Sequence, residues 1–316
     1  MVEKKRKLRK TRYRGRIAQI PIYIGKNFRS FVYQNDWKVI PMAAFIAALV
    51  SVVVKKSFFV TMEGTAMGSL AVASIGLWNG CFNSIQVVCR ERNIVKREHR
   101  SGMHISSYII SHMIYQAFLC LLQTLTILIV FIYTNVKLPA HGAIFDIFLV
   151  DFGITIFLIT YAADMMSLFI SSIVKSSTSA MTVMPIVLMI QLVFSGGLFT
   201  LPKNLQGYTN FMISNHGIVC ISAEADYNNL ETHTVWKMVK KIANNSDEES
   251  KKMVESLEEK GFAEKINMEA AKANYKKEYK NSNENIRVRW ELLMVFSAMF
   301  ALLAMIVLEF VDKDKR

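Results

Sequence analysis

The sequence has little of what marks a soluble enzyme. Only 5 of its 316 residues are proline, 4 are cysteine and 20% are charged, where a soluble domain carries about a quarter charged residues. The cysteines (Cys81, Cys89, Cys120 and Cys220) show no CxxC spacing, which excludes a zinc ribbon and a disulfide framework. Three of them lie in or beside apolar runs, where cysteine serves as a small apolar side chain. There is no GxxxxGK[ST] phosphate loop, no HExxH and no GxSxG. His99 and His104 make the closest histidine grouping, on a basic stretch without ligand spacing, so no metal site is expected. Residues 1–16 hold no apolar h-region, so the first apolar span is expected to direct insertion itself.

What is abundant is apolar sequence in long blocks. Apolar residues make up 52% of the chain and the mean hydropathy is +0.27. The charges crowd into 1–38, 90–100 and 231–289, between apolar stretches of roughly twenty residues, the length needed to cross a bilayer. The net charge of +13 does not indicate nucleic acid, because basic runs flanking apolar spans are what anionic lipid and the positive-inside rule select.

These patterns predict an all-α polytopic membrane protein of six transmembrane helices. An amphipathic stretch at 17–34, carrying Lys26 and Arg29, suits an interfacial helix that closes a basic N-terminal region, 1–37. Within the membrane region, 38–311, spans are expected at about 38–60, 65–89, 105–133, 147–173, 179–201 and 290–311. Residues 312–316 follow as a short tail. Segments 1–37, 89–104, 174–178 and 312–316 hold 11, 5, 1 and 3 Lys and Arg. The short loops on the other side hold three, Lys55, Lys56 and Lys137, which places both termini in the cytoplasm at a cytoplasmic membrane. The loop 202–289 is then extracellular, with a helical insert at 231–285. There Val235, Met238, Val239 and Ile242 recur at helical spacing, and Ser246 with Glu249 forms a capping box. A solvated elaboration without chemistry is expected of this insert, in preference to a dedicated binding domain.

Intramembrane polar residues are expensive and mark candidate function. Asn79, Asn83, Gln86 and Arg90 lie at i, i+4, i+7 and i+11 on the second span, and Thr160, Asp164, Ser167 and Ser171 repeat that spacing on the fourth. With Met184 and Gln191 of the fifth span they form a candidate translocation pathway. The competing reading is helix–helix adhesion through interhelical hydrogen bonds. Gly76 and Gly80 suit close helix packing. Asp151 and Asp164 are thirteen positions apart on one helix, roughly 20 Å, which excludes an aspartyl dyad. Ser195-Gly196-Gly197 matches part of the signature of ABC ATPases only by chance, since it ends an apolar span.

Two stretches resemble type-2 ABC exporter permeases, the G subfamily (White-like) and its bacterial relatives. In residues 90–116, Glu91-Arg92, Arg97-Glu98, Gly102 and Ser106-Ser107-Tyr108 match that family's first cytoplasmic loop and coupling helix. In residues 192–230, the Gly196-Gly197 pair, Pro202 and Ile213-Ser214 match the end of its fifth span and the following loop. His216-Gly217 stands where relatives often carry an aromatic residue or proline. The resemblance implies an ATPase-coupling loop comprising Glu91, Arg92, Arg97, Glu98, His99 and Arg100. It also implies an outer gate at Phe194, Gly196, Gly197 and Phe199. A non-enzymatic permease subunit is expected, paired with a second permease (homo- or heterodimer) and a separate ABC ATPase. No cofactor is expected on this chain; ATP and Mg would sit on the ATPase. A non-transporting immunity or sensor subunit, binding a partner through its extracellular helices, is the alternative.

Overall fold

The structure, a computed structural model, describes residues 15–33, 36–199, 201–232, 234–245, 248–259 and 261–310. The basic segment 1–14, the tail 312–316 and Ser246 of the capping box lie outside the described residues. Thirteen α-helices are found among the described residues: α1 (Arg16–Tyr33), α2 (Val39–Val54), α3 (Met62–Ser84), α4 (Val87–Arg100), α5 (Ile105–Tyr133), α6 (Phe148–Ile173), α7 (Ser177–Val193), α8 (Gln206–Thr209), α9 (Ile213–Glu224), α10 (Thr234–Asn244), α11 (Glu248–Glu259), α12 (Phe262–Asn274) and α13 (Asn283–Glu309). Extended pairing among them is confined to one isolated bridge, Thr61 with Glu231. The protein is an all-α polytopic membrane protein. By length and composition α5, α6 and α13 each suffice to cross a bilayer, while α2 and α7 are apolar but shorter. The fourth candidate by length, α3, has 23 residues but is diluted by glycine, serine and asparagine.

The centre of the bundle is the crossing of α3 and α6, and small residues make it close. A Cβ on Gly76 would come within 2.9 Å of Ile159, and one on Gly80 would run into the Thr160 carbonyl and lie 2.8 Å from the Asp164 amide. Around this crossing pack α5, α9 and α13. All twelve residues of α9 are buried, although it is too short to cross the hydrocarbon.

Several element boundaries differ from the sequence expectation, each for a local reason. The helix of the first expected span, α2, stops at Val54 rather than near 60. Phe58 and Phe59 turn inward beyond it, and Phe59 packs edge-on against Phe148 and Phe152 at 5.1 and 5.7 Å. The turn requires a left-handed Phe59 (φ 61°), fixed by its amide donating to Thr65 Oγ1 at 3.1 Å. The hydroxyl of Thr61 then caps α3 by accepting from the Gly64 amide at 3.1 Å, so α3 begins at Met62. That helix breaks at Ile85-Gln86, and the charged stretch after it is helical: α4 covers 87–100. Its buried face, Val88 and Val95, joins Ile105, Tyr108, Leu168 and Leu308 in a second core. The fifth apolar stretch is helical from Ser177, capped by Ser176, only to Val193. The last helix starts at Asn283, seven residues before Trp290. In the insert, Lys240 of α10 and Glu258 of α11 form a 2.7 Å ion pair that holds the exposed Glu258 carboxyl below its ordinary range.

Candidate functional site

Three polar clusters lie along the bundle. The first is at the α4 end. Its charges divide into two sets that the sequence does not separate. Glu91 pairs with Lys26 of α1 at 3.0 Å, and Glu98 accepts from the Tyr23 hydroxyl of α1 at 3.2 Å. Burial, and after it Glu98, raises the Tyr23 hydroxyl to about 12. Arg92 donates to the Ser172 and Val174 carbonyls at 2.8 and 3.3 Å, closing the C-terminal end of α6. These three residues therefore hold helices of this chain together. Arg97 and Arg100 are exposed, with Arg90, Asn93 and Ile94 on the same face of α4, whereas His99 is half-buried. The orientation of α1 is set further by Gln19, whose amide donates to the Gly102 carbonyl and accepts from the His104 amide, both at 3.0 Å.

The second cluster lies at mid-bundle, where α3, α5 and α6 meet. Asp164 is fully buried and accepts from Ser84, from Asn83 at 3.4 Å and from Cys120 at 3.4 Å. Asn83 and Gln123 exchange amide hydrogen bonds of 2.9 and 3.1 Å, and Gln116 donates to Ser84 at 2.8 Å. Of the expected pathway residues, Asn83 and Gln86 line an open cavity of 140 Å³, together with Arg90, Tyr115 and Gln116. The others face inward within the chain. Asn79, Thr160, Ser167 and Met184 are buried, and Thr160 returns its hydroxyl to the Ile156 carbonyl at 2.8 Å. Gln191 is tied to Met166 of α6 and to Ser214 of α9. In this conformation these side chains serve packing, and the open wall on α3 begins at Asn83.

The third cluster surrounds α9 at the insert end. Trp290 Nε1 donates to the Thr155 hydroxyl at 2.7 Å, and that hydroxyl donates to Glu224 Oε1, leaving Glu224 Oε2 buried without a partner among the described residues. Asp151 accepts from the Ile144 and Phe145 amides at 2.9 and 3.2 Å, so it organises the loop before α6. His216 Nε2 meets the Asn210 carbonyl at 2.9 Å and Nδ1 meets Arg289 at 3.0 Å, the arrangement of a neutral ring donating through Nε2. Beyond α7 the chain turns at Gly196, whose φ of +71° favours glycine. A Cβ on Gly197 would approach Ile218 to 2.8 Å. Phe194 lies edge-on to Tyr208 at 6.4 Å, and Phe199 is exposed. Among the expected gate residues, Gly196 and Gly197 thus shape the turn and Phe194 packs within it.

Sequence reasoning missed Gln116, Cys120 and Gln123. They occupy i, i+4 and i+7 of α5, the same signal that singled out α3 and α6. Glu224 and Trp290 were missed because nothing in the sequence brings α9 against α13. Among the described residues no group of His, Cys, Asp and Glu suits a metal ion. The arrangement offers adhesion between helices and an open polar cavity. Compared with known families, residues 19–214 match the family described as ABC-2 type transporter. No curated protein matches the chain.

Proposed function

Because the chain belongs to the ABC-2 type transporter family, we propose that it is the membrane permease subunit of an ATP-driven exporter, working by alternating access with a separate ABC ATPase and a second permease subunit. The family match carries this reading, and it encloses α4. The exposed Arg97 and Arg100 on α4 are the proposed ATPase-docking groups, with ATP and Mg held by the ATPase. Their neighbours Arg92, Glu91 and Glu98 connect that surface to α6 and α1, a rigid route by which ATPase closure reaches the bundle. Moving a two-state pore from 1:99 to 99:1 takes about 5.5 kcal/mol of differential binding, a scale that nucleotide-driven closure supplies. Both termini are assigned to the cytoplasm of a cytoplasmic membrane and the α10–α12 insert to the outside, on the charge asymmetry of the short loops.

Co-expression with the ABC ATPase encoded nearest to it tests the reading. Vesicles containing both chains should show nucleotide-dependent substrate movement that a hydrolysis-dead ATPase abolishes. Substrate-independent, nucleotide-independent behaviour of the complex would favour a sensor or immunity subunit.

A further inference from the structure

A second cavity, of 390 Å³, opens at the insert end between the chain leaving α7 and the turn before α13. It is lined by Gly196, Gln206, Asn210, Asn215, Lys276 and Lys277 among others, Glu278 and Tyr279 included. Its walls are held firmly. Asn228 and Lys276 exchange side-chain-to-backbone hydrogen bonds of 3.0 and 3.1 Å, and Tyr279 is buried edge-on against Tyr227 at 5.0 Å. Two of its polar groups have few or no hydrogen bonds among the described residues. Asn215 is only 6% exposed, yet its amide makes no hydrogen bond among the described residues. Lys276 is half-buried, its ammonium 3.3 Å from the Tyr279 hydroxyl and 4.7 Å from that ring, with no carboxylate within ion-pair distance among the described residues. Burial pulls its pKa down, with Glu278 opposing. A half-buried cation and an amide with no partner among the described residues thus face the same cavity, a donor set suited to an anion.

The rim specifies what kind of anion. On the segment that supplies Gln206, Thr209 and Asn210, the alternate residues Leu205, Tyr208 and Phe211 are exposed at 36, 54 and 68%. Apolar and aromatic side chains beside a cationic, amide-lined pocket fit the acyl–headgroup boundary of a bilayer. We propose that this pocket binds the phosphate of an amphiphile's headgroup in the adjacent leaflet, with Lys276, Lys277 and the Asn215 amide as donors, Glu278 accepting from a headgroup hydroxyl or amine, and Leu205, Tyr208 and Phe211 against the chains. That this leaflet is the outer one rests on the orientation assigned above; the binding site itself does not.

Purified full-length protein in neutral detergent, with no ATPase present, tests the site separately from transport. Dihexanoyl phosphatidylglycerol should bind saturably and more tightly than inorganic phosphate. Lys277→Gln, at an exposed position, should weaken it about fivefold, the scale of one lysine near an anionic surface, while Lys252→Gln on α11 should leave it unchanged. Asn215→Asp, nearly isosteric, should weaken it further by placing a carboxylate against the phosphate; if that variant fails to fold, Lys277→Gln still decides. Equal affinity for inorganic phosphate would overturn the headgroup assignment, and wild-type binding by Lys277→Gln would overturn the site. Loss of transport with binding intact would count against the exporter reading and leave this one standing.

Discussion

At the scale of single residues, charge alone does not distinguish a docking group from a structural one. Arg92 and Arg97 lie on one helix in one basic run, yet Arg92 closes the end of α6 and Arg97 is exposed. Hydrogen bonds to a charged group contribute about 1.5–3 kcal/mol each, so Arg92→Ala should lower the unfolding temperature of the purified permease by several degrees. Arg97→Glu should leave that temperature unchanged and reduce ATPase stimulation by the assembled complex. Equal thermal loss in both variants would mean that α4 has no separate docking face. The sequence shows which residues are costly in a membrane, but not their partners. Asp164 is conspicuous inside an apolar run; that Ser84, Asn83 and Cys120 receive it depends on how α3, α5 and α6 are rotated about their axes, which periodicity leaves open.

At the scale of elements, hydropathy locates the helices well and their ends poorly. Each expected span contains a helix, because twenty apolar residues in hydrocarbon must satisfy their backbone internally. The ends are set by tertiary contacts: Phe58 and Phe59 stop α2 short, and Thr61 starts α3. The helix of 87–100 escapes a hydropathy reading because it is amphipathic and charged, though its buried Val88 and Val95 sit at helical spacing. The α3–α6 crossing gives a direct test. Gly80→Leu places a side chain into the Thr160 carbonyl, and overpacking of this kind costs about 1–3 kcal/mol; the variant should unfold at lower temperature, whereas Gly25→Leu, open on α1, should not. The end of α7 gives another. Gly196→Ile forces a β-branched residue into a left-handed turn, a penalty of about 1–2 kcal/mol, and should block transport with assembly retained. Phe194→Ala removes the contact with Tyr208 and should raise basal ATPase activity or leak. Wild-type export by both would place the gate elsewhere.

At the scale of the whole molecule, the chain leaves one of its apolar helices half covered. α7 buries only Ala180, Met184, Leu188 and Gln191, so Met181, Ile186, Met189 and Ile190 stand outward. On the neighbouring α3, Met67 and Trp78 are exposed as well. Lipid can cover such a surface, but so can a second permease, and the proposed pathway requires the latter, since the inward faces of α3 and α6 are already filled by this chain's own packing. All four native cysteines are buried, so replacing them with alanine or serine gives a background for both orientation and contact. In that background Lys251→Cys on the exposed face of α11 should react with an impermeant maleimide added to intact cells; labelling only after permeabilisation would invert the assigned topology. Met189→Cys should link two copies through a short bis-thiol reagent in membranes. Ile129→Cys, equally exposed at 65% but on α5, should not. If the α5 position links and the α7 position does not, a second permease does not cover the outward face of α7. Linking at Met189 only when a different permease is co-expressed would make the assembly a heterodimer, with the half-covered face of α7 completed by a surface of different sequence.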